Sequence, residues 1–221
     1  MVVSNELRRD VWEVNLGIYR TGLVTMHSGN ASAVDRRRGQ VLIKPSGMDY
    51  DKLKPADVVV TDLDGIKLAG RWKPSVDLPH HLYIYRNRPD IGGVIHTHSN
   101  YATSFAMLGQ SIPVYLTAIA DEFGEEIPCV PYVDNQGDHI GEAILEVMQR
   151  SSVPAVLLEK HGVFAFGPTV KAAFKAAVML EDVAKTCHLA LLRGKARPLP
   201  RKEIQKWYNR YHSTYGQEDQ T

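Results

Sequence analysis

Two cysteines, Cys129 and Cys187, are too few and too far apart for a disulfide framework, and they fall in no C-x-x-C pattern. They read as ordinary thiols of a reducing compartment, so the cytoplasm is the expected location. A surplus of either charge is also missing: 26 Lys and Arg stand against 25 Asp and Glu, for a formal net charge of +1. No global basic field is available to neutralise a phosphate backbone, and nucleic acid is not an expected partner. The opening residues are charged throughout and lack the apolar run of a secretory signal. The longest stretch free of Asp, Glu, Lys and Arg, residues 91–120, contains His96, His98, Asn100, Gln110 and Pro113. It therefore reads as a buried interior segment and not as a membrane span. Low-complexity linkers and internal repeats are absent too. The 44% of apolar residues suffice for the core of one globular domain over 1–221.

What the chain has is histidine, nine of them beside those two cysteines. The ratio directs attention to imidazole chemistry.

Leu7, Val11, Val14 and Ile18 recur at helical spacing, and Gly22 sits where that helix would stop. Two hairpins should follow, one from 31–35 and 40–44, the other from 58–62 and 66–69 around Asp64-Gly65. From Leu78 the pattern alternates. A helix to about Arg88 precedes a buried strand at 91–98, a helix at 99–108, a strand near 114–116 and a helix from about His139 to Arg150. Strands at 155–159 and 163–166 come next. A long helix over 169–193 then has Thr169 as its N-cap and Gly194 as its stop, and a last helix covers 202–212. The expected fold class is α/β: a single domain with a central mixed, largely antiparallel β-sheet flanked by helices on both faces.

Ile91-Gly-Gly-Val-Ile-His96-Thr-His98 is an apolar strand whose end holds histidines at i and i+2. Such side chains leave a strand on the same face and can converge on one cation. A His-x-His pair by itself also reads as two polar positions on a half-exposed strand. A borderline metal such as zinc takes three or four ligands. The third candidate is His161, again at the end of an apolar strand, followed by Gly162, which permits close approach. A carboxylate would complete a catalytic set, and Asp77 precedes a helix at a suitable place. Histidines 27, 80, 81, 139, 188 and 212 have no comparable spacing and read mostly as surface, capping or helix-face residues, with His80 and His81 adjacent to Asp77. Two polar glycine turns, Ser28-Gly-Asn30-Ala-Ser32 and Lys44-Pro-Ser46-Gly47, lack the spacing of a Walker or dinucleotide motif. Each alone reads as a structural turn. Together with Ser75 they could form an anion pocket beside a metal.

These segments, with Lys73-Pro-Ser-Val-Asp77, Ile127-Pro-Cys129 and Lys160-His-Gly162, occur in an order and at separations that resemble the class II aldolase and adducin head family. The likeness runs from the first helix to Tyr215-Gly216-Gln217. It implies the class II aldolase-like fold and a divalent metal, zinc first and manganese or cobalt as alternatives. His96, His98, His161 and Asp77 would be its ligands. Asp77 and Asp121 match the pattern of the family's epimerases more than that of its aldolases, and Thr117 and Tyr215 also sit as in the epimerases. The resemblance thus implies a metal-dependent epimerase interconverting L-ribulose 5-phosphate and D-xylulose 5-phosphate. The bond between carbons 3 and 4 would break and re-form by a retro-aldol and aldol sequence. Asp121, Tyr215 and Thr117 would be catalytic, and Asn30, Lys44, Ser46, Gly47 and Ser75 would hold the phosphate. Partners implied are a phosphorylated ketose and further copies of the chain, in a homotetramer with the site at the subunit interface. An aldolase of the L-fuculose 1-phosphate type, giving dihydroxyacetone phosphate and an aldehyde, is the alternative. A non-catalytic adducin-like scaffold is a second. Three residues depart from the epimerase pattern: Val76 stands for a serine, Glu122 for an aromatic residue and Trp207 for a histidine.

Overall fold

The computed structural model describes residues 3–215 of the 221. Helix α1 (Asn5–Arg20) is opened by Ser4, whose Oγ accepts from the Leu7 amide at 3.2 Å, and it buries Val11, Val14 and Ile18. The first hairpin follows as β1 (Asn30–Asp35) and β2 (Gln40–Ile43), and the second as β3 (Val59–Asp62) and β4 (Lys67–Ala69). Next come α2 (Leu78–Asn87), β5 (Gly93–Thr97), α3 (Asn100–Met107), α4 (Thr117–Phe123), β6 (Cys129–Val130) and α5 (His139–Met148). The chain continues through β7 (Ala155–Leu158), β8 (Gly162–Gly167), the long α6 (Val170–Leu191) and α7 (Arg201–Ser213).

The eight strands form one sheet in the order β4-β3-β2-β1-β5-β8-β7-β6, antiparallel throughout except for the β6–β7 pair. The expected mixed, largely antiparallel sheet is thus observed. Period-two alternation divides the core. On β8, Val163 and Ala165 enter one apolar cluster while Phe164 and Phe166 enter the other. The first cluster lies under α1, α3 and α6, and the second under α2 and α5. Small residues on the strands facing α6, among them Ala31, Ala33 and Ala165, share one apolar cluster with Ala173, Ala176 and Ala177 of that helix. Asn15 is buried on α1 and pins the start of β1, since its Oδ1 accepts from the Ala31 amide (2.9 Å) and its Nδ2 donates to the Ala31 carbonyl (3.1 Å). That contact positions Asn30, the first residue of β1.

One expectation fails between β5 and α5, and two elements there are not foreseen. Residues 114–116 form no strand; the pairing residue there is Ile112, bridged to Ile127, and Pro113 lacks the N–H to continue the ladder. Instead the chain turns into α4, stopped by Gly124 at φ +69°. The two-residue strand β6 is too short to leave a periodic signal. Elsewhere Thr169 caps α6 as expected, accepting from the Ala172 amide at 3.1 Å.

Candidate metal centre and anion pocket

β5 lies between β1 and β8, with Asn30 opposite His96 on one side and Phe164 opposite His96 on the other. His96 is 1% exposed. Its Nδ1 lies 2.9 Å from the Val163 carbonyl oxygen, which can only accept, so that nitrogen carries the proton and Nε2 presents a lone pair. The ring stacks on Phe164 with centroids 4.6 Å apart. His98, just past the end of β5, places its Nε2 3.0 Å from that of His96.

His161 reaches the same point from the β7–β8 turn. There Lys160 takes a left-handed φ of +59°, a strained conformation of the kind that collects at functional sites. The Lys160 amide donates to the Ala106 carbonyl at 3.1 Å and fixes the turn against α3. Gly162 is required by close approach. A Cβ there would stand 2.5 Å from the Thr97 carbonyl oxygen and 2.7 Å from His98 Cδ2.

One ligand atom from each of His96, His98 and His161 lies within 4.8 Å of the others. Nitrogens about 2.0–2.1 Å from a tetrahedral zinc ion stand about 3.3 Å apart, so the trio is near ligating geometry. Burial depresses the basicity of all three: His96 falls to about 3, and His98 and His161 also fall. They are therefore neutral near pH 7, as ligands must be. His96 is buried while His98 is exposed and His161 half-buried, which leaves one side of the trio open. The donor set fits a divalent cation with free coordination positions.

Asp77 does not join this trio. Its Oδ2 accepts from Asn30 Nδ2 and lies 3.4 Å from Ser75 Oγ. Burial works against the carboxylate, but the neighbouring imidazoles of His96 and His81 and the Asn30 amide hold it below the usual range. Asn30 Nδ2 also reaches Ser75 Oγ at 3.1 Å, while Asn30 Oδ1 is buried without a partner.

The expected phosphate residues are largely gathered beside Asp77. The segments carrying Lys44 and Ser75 are tied by two backbone bonds, Ser46 N–H to the Lys73 carbonyl and Ser75 N–H to the Lys44 carbonyl, both 3.0 Å. Lys44 is 1% exposed, and its Nζ donates to the His27 carbonyl at 3.1 Å and lies 4.6 Å from the centre of the Tyr50 ring. Burial lowers its pKa to about 8 against the opposing pull of Asp77 and Asp49. Ser46 and Gly47 are exposed on the turn at the pocket's edge.

Beneath the trio lies a polar chain that spacing does not reveal. His81 and His80 are 0% and 2% exposed on α2, so they are helix-face residues as read but not surface ones. His81 Nδ1 is 2.7 Å from Ser32 Oγ, which is 2.7 Å from Tyr85 Oη. The His81 ring meets the edge of Phe164, the residue that stacks on His96. The signal for His81 is helical: with Leu78, Leu82 and Tyr85 it occupies the sheet-facing stripe of α2.

The other expected catalytic residues are placed elsewhere. Asp121 and Thr117 lie on α4, and Tyr215 lies just past α7, which packs on α4. Among the described residues, none of the three has a hydrogen bond, ion pair or ring contact with the histidine trio. Thr117 and Tyr215 are exposed, and Asp121 Oδ1 is buried without a partner. Gly216 and Gln217 lie outside the described residues.

The profile of the class II aldolase and adducin N-terminal domain matches residues 9–188. An L-ribulose-5-phosphate 4-epimerase UlaF of Salmonella paratyphi B is 37% identical over 225 residues, covering 96% of this chain and 99% of that protein, and the Salmonella typhi protein of the same name matches equally. A solved L-fuculose 1-phosphate aldolase superposes with a TM-score of 0.85 at 28% identity, covering 96% of this chain and 98% of its own. The fold is shared by YgbL of Klebsiella pneumoniae, described as a putative aldolase/epimerase/decarboxylase, at a TM-score of 0.81 and 24% identity, over 94% of this chain and all of that one. With the matched profile covering most of the chain and the histidine trio at the end of its central strands, this protein belongs to the class II aldolase and adducin N-terminal domain family.

Proposed function

We propose that this protein is a metal-dependent epimerase that interconverts L-ribulose 5-phosphate and D-xylulose 5-phosphate. The observation that carries the reading is the convergence of three neutral imidazoles beside a pocket lined by Asn30, Lys44 and Ser75. The near full-length identity to a protein named for that activity supports it.

His96, His98 and His161 hold the divalent cation, zinc first, with manganese or cobalt as alternatives. When bound, the cation supplies Lewis acidity toward oxygens on which negative charge develops. Carbon 4 of the ketopentose bears no acidified hydrogen, so it is inverted through its bond to carbon 3. One proton-transfer group takes the hydrogen of the carbon 4 hydroxyl as that bond breaks and an aldehyde leaves. The aldehyde turns its other face, the bond re-forms, and a second group returns a proton to its oxygen. Asp121 and Tyr215 are assigned these two roles, with Thr117 beside them on α4. Asn30, Lys44, Ser46, Gly47 and Ser75 hold the phosphate, which keeps the aldehyde fragment from escaping while it turns. Asp77, fixed by Asn30 and Ser75, stands next to the trio as a fourth ligand or an acceptor for a substrate hydroxyl.

Asp121 lies on α4 and Tyr215 just past α7, which packs on α4, and among the described residues neither has a hydrogen bond, ion pair or ring contact with the trio of the same chain. A second copy presenting that pair to this site, in a homotetramer with the site at the subunit interface, is the proposed assembly. The free thiols Cys129 and Cys187 support a cytoplasmic location. Among the described residues no helix is long and apolar enough to cross a membrane.

A second reading, an aldolase of a ketose 1-phosphate, draws on the 0.85 superposition with an L-fuculose 1-phosphate aldolase. Product analysis separates the two. Formation of D-xylulose 5-phosphate from L-ribulose 5-phosphate confirms the epimerase, whereas net release of dihydroxyacetone phosphate from a ketose 1-phosphate establishes the aldolase. The scaffold reading has no observation in its favour, since the trio is intact; metal-free, inert protein would revive it.

A further inference from the structure

Tyr215 is exposed and follows the last turn of α7, yet its ring is held from two directions. It stacks on Tyr211 with centroids 4.9 Å apart and planes 26° from parallel, and the Arg210 guanidinium lies 5.7 Å from its centre. Each of these neighbours is anchored in turn. Lys175 of α6 places its Nζ 4.8 Å from the Tyr211 ring centre and 2.8 Å from Glu122 Oε2. Glu122 is 7% exposed and lies next to Asp121 on α4. Arg210 also lies 4.9 Å from the centre of Trp207, whose Nε1 donates to Glu203 at 3.2 Å.

Glu122 and Trp207 are two of the three positions at which this sequence departs from the epimerase pattern. Both feed contacts that end at Tyr215. A lysine held by a buried carboxylate is a fixed cation, and a fixed cation over an aromatic face restrains that ring. An offset aromatic pair then restrains the second ring.

We infer that Tyr211 and Glu122 are positioning residues for Tyr215: the Glu122–Lys175 ion pair holds the Tyr211 ring, and that ring holds the phenol at one orientation relative to Asp121. The inference rests on the reading of Tyr215 as a proton-transfer group. Misplacing such a group by about 1 Å costs up to about 100-fold in rate.

The test measures steady-state epimerisation of L-ribulose 5-phosphate by full-length, zinc-loaded protein, together with metal content and melting temperature. Tyr211→Ala and Glu122→Gln should lower kcat by about 10- to 100-fold and about 3- to 10-fold respectively, with KM, metal content and melting temperature nearly unchanged. Tyr211→Phe keeps the stack and should restore most of kcat. An unchanged kcat in both Tyr211→Ala and Glu122→Gln, or a loss carried by KM or metal content instead, overturns the proposal while Tyr215→Phe stays inactive. A fully active Tyr215→Phe overturns the underlying reading of Tyr215, and the inference with it. Should Tyr211→Ala fail to fold, Glu122→Gln decides alone.

Discussion

The Nδ1 of His96 and the carbonyl oxygen of Val163 are 2.9 Å apart across the β5–β8 ladder, and this one contact decides what His96 can do. It fixes the tautomer and aims Nε2 at His98 and His161. The strand pairing that builds the sheet thereby also builds the metal centre.

The trio can be tested by metal content. His96→Asn protein, dialysed and analysed by inductively coupled plasma mass spectrometry, should lose most of its divalent metal. In the wild type, removal of the metal with a chelator should lower the melting temperature. A cation present at 100 times its Kd contributes about 2.7 kcal/mol to the folded state. Full metal retention by His96→Asn would remove His96 from the ligand set.

Gly162→Ala forces a Cβ to 2.5 Å from a backbone oxygen of β5, which cannot yield as a side-chain end can. Urea unfolding of the apoprotein should show a loss of about 1–3 kcal/mol, typical of overpacking. Metal affinity should fall as well, because β8 must shift away from His98. Wild-type values for both would mean the strands tolerate the methyl group.

Lys44 sets an alkaline limit. With its pKa lowered to about 8, the ammonium that attracts a phosphate is lost as pH rises through that value. The kcat/KM profile should decline above about pH 8, and Lys44→Met should raise KM and abolish that limb. Stability runs the opposite way. The unfolded chain keeps the lysine proton to its ordinary 10.5, so it binds more protons between pH 8 and 10.5, and this group's contribution to stability grows across that window.

His81 sets an acid limit on the fold itself. Burial depresses its pKa to about 3 from an ordinary 6.5, so the unfolded state binds the extra proton between these values. This group's contribution to stability is therefore full above pH 6.5 and is lost as the pH drops toward 3. Urea denaturation of the apoprotein should give up about 2 kcal/mol from this group between pH 6.5 and 5. In His81→Gln that part of the slope should disappear; an undiminished slope would place the acid sensitivity in other groups.

Much of the architecture could be read from the chain because the signals are local. Period-two apolar runs marked β1–β3, β5, β7 and β8, helical stripes marked α1, α2, α5 and α6, and Thr169 marked a start. Helix α4 and strand β6 left no such trace, since each is too short for a period.

The metal trio was legible for the same reason: His96 and His98 are two apart at a strand end, and His161 ends a second apolar strand beside a glycine. Sequence alone therefore determined the fold class, the three imidazoles and the polar turns around Asn30 and Lys44. Only the tertiary structure decided how these groups act, because their chemistry depends on neighbours distant in the chain. It turned Asp77 toward Asn30, buried His81 against Ser32, lowered Lys44 by enclosing it, and packed α4, which carries Asp121, against α7, which leads to Tyr215. Burial and hydrogen-bond partners are products of packing, and residue spacing does not encode them.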